Sequence, residues 1–230
     1  MKSEVENLCS EYENVLSGYA VLLMYRFINL SVKADANTLL QAVIQIRGEE
    51  KKIEEVADVG MRSEERMEIY PHDESFLMPI GHAIMEVHPE FKQNVEIFQL
   101  EEDKVFKYLS LTMPDVDKNR HDLLLQGVDA FFDEAKGQTE FAKGKYTIRL
   151  ERALLNSPEE DIKEAKDKFD AIYDNHVNRI QQTVEDKQKE IEDAYALYQQ
   201  KQAEQEKSQL EQAAAQGADV VNQIQMPGLS

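Results

Sequence analysis

The chain has 230 residues, 42% of them hydrophobic, which is enough for a core in one elongated domain or two small ones. Its net charge of −19 opposes non-specific binding to nucleic acid, because phosphate groups are bound by clustered Lys and Arg. Cys9 is the only cysteine, so the sequence offers no disulfide framework and no thiolate metal site.

The beginning of the sequence lacks the pattern of a signal peptide, since Met1–Glu4 is followed by further acidic residues. The most apolar run, Tyr19–Leu30, contains Arg26 and is too short to cross a bilayer. We therefore expect a soluble cytoplasmic protein with no membrane partner, encoded by a bacterium or by a virus that infects one.

A first amphipathic helix is predicted from Ser3 to about Val32. Ser3 and Glu6 match a capping box, in which each side chain bonds to the backbone amide of the other residue. Apolar residues then recur every three or four positions, which is the period of a helix with one buried face. These residues are Leu8, Tyr12, Val15, Tyr19, Leu22, Leu23, Phe27 and Leu30.

From Thr38 to Leu111 the pattern changes to the alternation that is typical of short strands. The charged segments Glu49–Lys52 and Ser63–Arg66 are interpreted as solvent-exposed turns. The predicted strands are residues 42–47, 66–70, 95–100 and 105–109, with one short helix at residues 76–87. This part of the chain is therefore predicted to be a compact α/β insert.

A second long helix is predicted after Thr112–Asp115, where Pro114 disfavours helix in the residue before it. It runs to about Leu155, and the glycines from Gly137 to Gly144 allow a kink. Its predicted inward residues are Leu124, Val128, Phe131, Ala135, Ala142, Tyr146, Leu150 and Ala153.

The third long helix starts at Ser157 and is predicted to reach about Gln212. Ser157 and Glu160 match a capping box, and Pro158 suits the first helical position. Its apolar stripe spans roughly 60 Å, so it needs partner helices. Phe131, Phe169, Ile172 and Ile180 are expected to be buried where the helices meet.

These elements predict an α+β protein: an elongated three-helix bundle with a small α/β domain inserted between its first and second helices. After Tyr198 the composition shifts to Gln, Ala, Glu and Lys, which is typical of a helical extension and a mobile tail. The predicted boundaries are residues 1–34 for the first helix, 35–112 for the insert, 113–198 for the other two helices and 199–230 for the extension and tail.

This layout resembles the ribosome recycling factor family over about residues 5 to 195. The closest match is Pro158–Asp174, continuing to Asp186-Lys187-Gln188-Lys189-Glu190-Ile191, which resembles the acidic start, the Lys-rich stripe and the end of the last helix of that family. Other similar segments are Leu39-Leu40, Val56-Ala57, Ile69–Asp73 before Ala83-Ile84, and Leu111–Pro114.

The resemblance implies a non-enzymatic factor that binds rRNA of the large ribosomal subunit and splits ribosomes after termination, with a translocating GTPase as its partner. In the family an Arg-rich face of the bundle contacts the rRNA. Arg149 and Arg152 keep two of three arginines of one family segment, and Arg120 lies where the second helix of the family opens. The opening here, Asp117–His121, is less basic than in the family.

The same resemblance implies that the small domain swivels about two linkers, Lys33–Asn37 and Leu111–Asp115. Their residues offer little to a core, and Pro114 limits one side of the joint. The hinge residues expected here are Ala34, Asp35, Ala36, Met113 and Pro114.

Two alternatives follow from the residues themselves. Arg149 and Arg152, three residues apart on one helix face, suit phosphate binding, but they could equally pair with Glu151, Glu159 or Glu160. The charge of −19 also fits a structural or adaptor protein that keeps the fold, has lost rRNA binding and binds basic proteins, such as a paralogue or a phage-encoded assembly component.

No catalytic constellation or cofactor motif is present in the sequence. His72, Asp73, His82, Glu86 and His88 cluster along the chain, but prolines interrupt them and they do not form an HExxH pattern. We therefore expect no metal, no cofactor and no enzymatic activity.

Overall fold

The computed structural model describes the backbone of residues 2–101 and 104–224, and the side chains of residues 3–99 and 105–213. Three long helices form a bundle, and two short helices lie in the insert. No helix in the described part of the chain is long and apolar enough to span a membrane. The helices are α1 (Lys2–Ile28), α2 (Ile53–Val56), α3 (Leu77–Val87), α4 (Lys118–Ala153) and α5 (Glu159–Ile224).

The bundle has two apolar clusters, one at each end. At the end where α4 turns into α5, the ring of Tyr12 stacks on Phe169 at 4.1 Å between centroids and lies 5.1 Å from Tyr146. At the other end, Leu23, Val128 and Ile191 join the three helices. The amphipathic stripes predicted from the sequence therefore face one another.

The insert contains a hairpin and a four-stranded antiparallel sheet in the order β3-β4-β6-β5. One face of the sheet packs on α3, where a Cβ atom on Gly81 would lie 3.1 Å from the side chain of Gln93. The strands are β1 (Val43–Ile46), β2 (Glu49–Lys52), β3 (Ala57–Met61), β4 (Arg66–Pro71), β5 (Lys92–Glu101) and β6 (Lys104–Thr112). The predicted α+β fold, with a small domain inserted in a three-helix bundle, is confirmed.

Two strands and one helix of the insert were not predicted from the sequence. Glu49–Lys52, interpreted as a turn, is strand β2, because it pairs with β1 across a two-residue turn. Arg47 and Gly48 adopt φ angles of 53° and 86° there, the left-handed conformation of a tight hairpin. Strand β3 and helix α2 were also not predicted.

Helix α4 is not interrupted between Gly137 and Gly144, where the glycines allowed a kink or an interruption, since it is continuous over 36 residues. Buried neighbours such as Thr139 and Ala142 hold this stretch against the bundle. Of the residues expected in the core, Phe169 and Ile180 are buried, whereas Phe131 and Ile172 are only partly buried.

Helix α5 continues for 66 residues, beyond the predicted end near Gln212. It begins at Glu159, two residues after the predicted start at Ser157. Within residues 199–230, predicted to be a helical extension and a mobile tail, the backbone is helical to Ile224, and Lys201 bonds to two carboxylates of other segments. The remaining residues, 225–230, lie outside the described part.

Candidate nucleic-acid interface and interdomain joint

The segment 136–152 of α4 is basic within an acidic protein. It contains five Lys and Arg against two Glu, a net charge of +3, whereas the whole chain carries −19. The segment forms the part of α4 next to the turn into α5, and Lys145, Arg149 and Arg152 follow one another at intervals of four and three residues. This spacing places the three cations on one side of the helix.

Arg149 has a partner that the sequence did not indicate. Its Nη2 atom lies 2.9 Å from Oε2 of Glu11 on α1, and its guanidinium group lies 4.9 Å from the ring centroid of Tyr146. The side chain is 42% exposed. One carboxylate therefore orients Arg149 and offsets part of its charge while the residue remains accessible.

Arg152 is exposed and makes no hydrogen bond or ion pair among the described residues. Lys145 is also exposed, with its Nζ atom 5.9 Å from the ring of Tyr146. Lys143, by contrast, is occupied by Asp170 at 3.2 Å and by the ring of Tyr173 at 3.9 Å. Lys145, which the sequence analysis missed, could have been found from its spacing to Arg149 and Arg152.

Arg120 lies at the joint between bundle and small domain, away from this basic segment. Its guanidinium group donates to the carbonyl oxygens of Pro114 and of Ser31, the latter at 2.9 Å, and contacts Sδ of Met113 at 3.0 Å. Burial lowers the pKa of Arg120. The side chain thus ties both linkers to α4, and a contact with phosphate would have to compete with these bonds.

Four of the five expected hinge residues, Ala34, Asp35, Ala36 and Met113, are part of the small domain. Ala34 and Met113 are buried in its core, and their amides donate to the carbonyl oxygens of Glu64 at 2.7 Å and Glu65 at 2.8 Å. Asp35 caps the short 3-10 helix Ala36–Gln41 through a 2.8 Å bond to the Asn37 amide. The chain therefore crosses between the two parts at residues 31–33 and 114–115, of which only Pro114 was predicted as a hinge residue.

The start of the small domain is fixed by a buried histidine. His88 is 2% exposed, and its ring nitrogens lie 2.8 Å from Oε1 of Glu90 and 2.9 Å from the carbonyl oxygen of Thr38. Burial alone would lower the pKa of His88, but the hydrogen bond and the charge of Glu90 outweigh it and raise the pKa. Burial alone would raise the pKa of Glu90, but the bond to His88, a backbone hydrogen bond and the charges of His88 and Arg120 together outweigh it and lower the pKa.

Three ion pairs bridge the joint. Lys33 contacts Glu64 at 2.7 Å, and Lys201 of α5 contacts Glu65 at 2.6 Å and Asp115 at 3.1 Å. The bond to Glu65, followed by that to Asp115, raises the pKa of Lys201. The third helix is thereby connected both to the small domain and to the second linker.

The histidines and acidic residues considered for a metal are not brought together. Among the described residues, no three His, Cys, Asp or Glu side chains form a group that could hold a metal ion. His72 instead contacts Asp58 at 3.5 Å, and His88 is engaged by Glu90.

Comparison with known proteins agrees with this architecture. Residues 27–191 match the model of the family described as ribosome recycling factor. The ribosome-recycling factor of Staphylococcus haemolyticus (strain JCSC1435) is 21% identical over 193 residues, which cover 83% of this chain and 92% of that protein.

Two solved structures share the fold. The solution structure of a ribosome recycling factor superposes with a TM-score of 0.64 at 17% identity, over 83% of this chain and 98% of that one. The T. thermophilus ribosome recycling factor, described with the E. coli elongation factor G bound to the E. coli post-termination complex, gives a TM-score of 0.50 at 16% identity, over 81% and 98% of the two chains.

Proposed function

The chain belongs to the ribosome recycling factor family, and from that membership we propose that it acts in ribosome recycling by binding rRNA of the large ribosomal subunit. The observation that carries the rRNA contact is the exposed basic side of α4, formed by Lys145, Arg149 and Arg152. Guanidinium groups bind phosphate oxygens through two parallel hydrogen bonds, and Arg152 is free to do so. Because the rest of the chain is acidic, the phosphates of RNA would be attracted only to the basic segment 136–152.

In this proposal the three-helix bundle is the anchor and the small domain is the moving part. The two crossings at residues 31–33 and 114–115 lie side by side and are tied by Arg120. The relative with the 0.50 TM-score is described together with elongation factor G, which supports a translocating GTPase as the partner that pushes on the small domain. The protein would contribute position and leverage, with no catalytic step of its own.

Co-sedimentation of the full chain with purified large subunits tests the proposal. We expect binding that weakens steeply with salt, and a loss of binding in the double variant Arg149→Glu, Arg152→Glu. Lys207→Glu, at an exposed site on the extension, is the matched control for the single variant Arg152→Glu, because each of the two makes the same charge change. A folded chain that does not sediment with the subunits at low salt would exclude the rRNA contact.

A second candidate is an adaptor that keeps the fold and binds basic proteins in place of rRNA. The observation that favours it is the loss of available cations: Glu11 occupies one side of Arg149, and Arg120 is engaged in the joint. Recovery of a defined basic protein by pull-down, with no binding to subunits and no effect of Arg152→Glu, would establish the adaptor function.

A further inference from the structure

Strand β5 forms an open edge of the sheet in the small domain. It lies at one end of the order β3-β4-β6-β5, and among the described residues it pairs only with β6. Lys92–Glu101 spans ten residues, which is at the upper end of usual strand lengths, and it contains no proline. The backbone groups along its outer side are therefore available to a further strand.

The opposite edge of the sheet, strand β3, is less suited to pairing. It has only five residues and includes Asp58 and Gly60, which are residue types that strands disfavour. Asp58 is also engaged by His72 at 3.5 Å. The sheet thus has one short edge with weak strand formers and one long edge, and a long open edge recruits other chains.

Strand β5 exposes apolar side chains on both faces of the sheet. Val95 and Ile97 lie on the face where α3 packs, since Val95 is paired with the buried Leu109, yet they are 49% and 64% exposed. Phe98 lies on the opposite face, where it is paired with Phe106, and is 54% exposed. A helix lying on one face could not cover both Ile97 and Phe98, because successive side chains of a strand point to opposite faces. A strand added beside β5 would cover both, because its own side chains alternate in the same way.

The charge of the small domain favours a basic occupant of this edge. Residues 35–112 contain eight Lys and Arg against seventeen Asp and Glu, a net charge of −9. The three consecutive residues Glu101-Glu102-Asp103, at which β5 ends, are all acidic. A basic segment is attracted by this charge, whereas the small domain of a second copy is repelled by it.

We propose that the outer edge of β5 is a docking site for an extended basic segment of a partner protein, which joins the sheet as a fifth strand. Main-chain hydrogen bonds hold the segment, and its alternate side chains determine which segment binds. On the face of α3 it places apolar residues beside Val95 and Ile97, and on the other face it covers Phe98. The inference is separate from the proposed rRNA contact, whose residues lie on α4.

A peptide with the sequence of β6, Lys104–Thr112, is a suitable probe, because it is basic, has alternating side chains and matches β5 in the fold. The fluorescence anisotropy of the labelled peptide measures its binding to the full chain. We expect binding that Ile97→Lys and Phe98→Lys each weaken by about tenfold or more. Met78→Lys is the matched control, since it makes the same charge change at an exposed residue of α3 that lies beside Val43 of β1, and it should leave the affinity unchanged.

Two further measurements distinguish an added strand from other kinds of binding. In the complex, amide hydrogen exchange should become slower in β5 and stay unchanged in β3. A peptide in which both lysines are replaced by glutamate should bind about tenfold more weakly or worse, because it is repelled by the domain. Circular dichroism establishes that the variants are folded, and if one of them is not, the other decides.

Several results would overturn the proposal. These are no binding of the β6 peptide, equal weakening by Met78→Lys, equal affinity for the acidic peptide, and slower exchange at β3 in place of β5. Faster exchange in β6 would mean that the peptide replaces that strand and does not extend the sheet. A dimer that forms through β5 without any peptide would make a second copy the occupant, and so would also contradict the proposal.

Discussion

The Nζ atom of Lys201 lies 2.6 Å from Oε1 of Glu65, although 136 positions separate the two residues in the sequence. Glu65 belongs to the turn between β3 and β4, and its carbonyl oxygen also accepts the amide of Met113. The same lysine reaches Asp115 at 3.1 Å. A residue beyond the matched region 27–191 therefore contacts both the small domain and the second linker.

The first prediction concerns this contact. Lys201→Glu should broaden the distribution of interdomain distances, because it replaces two attractive pairs with two repulsive ones. The melting temperature should change little, since an exposed ion pair is worth about 1 kcal/mol or less. Single-molecule energy transfer between dyes on α3 and α4 measures the distribution, with Lys207→Glu as the control. An unchanged distribution would show that other contacts hold the joint.

The second prediction concerns the core of the bundle. Phe169→Ala should lower the free energy of unfolding by about 3–5 kcal/mol, because the ring is buried and stacks on Tyr12. Ile172→Ala should cost less, since that side chain is only partly buried. Denaturant unfolding measures both, and equal losses would contradict the packing at this end of the bundle.

The third prediction concerns pH. The pKa of His88 is raised in the folded chain, so this residue adds stability that is fully present below its unfolded value of about 6.5 and is lost as the pH rises through the folded value. Glu90 has a lowered pKa and acts in the opposite sense: its contribution is present above its unfolded value of about 4.3 and is lost as the pH falls.

The free energy of unfolding of the natural chain should therefore exceed that of His88→Gln most at mildly acidic pH. This difference should shrink as the solution becomes alkaline. Urea unfolding of both proteins across this range measures it. A difference that grows above pH 7 would mean that His88 is neutral in the fold.

The fourth prediction compares proline substitutions at two residues of the first predicted linker. Ala34→Pro should destabilise the small domain, because it removes the amide that donates to Glu64. Ala36→Pro should be tolerated, since proline suits the first position of the 3-10 helix that Asp35 caps. Thermal unfolding distinguishes the two variants, and equal stability would place Ala34 outside the core.

The fifth prediction tests the swivel itself. Lys33→Pro stiffens the first crossing without removing a backbone amide hydrogen bond described for that residue, and Lys33→Ala is the control for the lost ion pair with Glu64. If the small domain moves during recycling, Lys33→Pro should keep its binding to large subunits but split ribosomes more slowly. Full splitting activity would show that the motion is not used.

The helical part was predictable because its signal is long. Three amphipathic stripes with capping residues specify three helices, and their length requires that they pack together. The strands of the insert were predictable only where apolar and polar residues alternate. Glu49–Lys52 lacks that alternation and becomes a strand through pairing with Val43–Ile46, a contact that no local pattern reveals.

Several side chains have roles that depend on distant partners. Glu68 alternates like an outward residue of β4, yet it is 3% exposed because Arg62, Arg66 and Tyr70 cover and bond to it. Arg120 was associated with RNA by resemblance, but the fold places it between two linkers that are distant in sequence. Such roles follow from tertiary contacts, which spacing along one helix cannot show.

Helix α5, at about 1.5 Å per residue, is roughly 100 Å long, and it runs past the joint and does not stop there. A helix that lies along one side of the joint blocks rotation of the small domain toward that helix. In the proposed swivel, the arc available to the small domain would therefore be one-sided, with the contact at Lys201 as its limit. If the small domain swings as proposed, a push toward α5 would be resisted by the helix and only a push away from it would move the domain, so the extension would give the swing its direction.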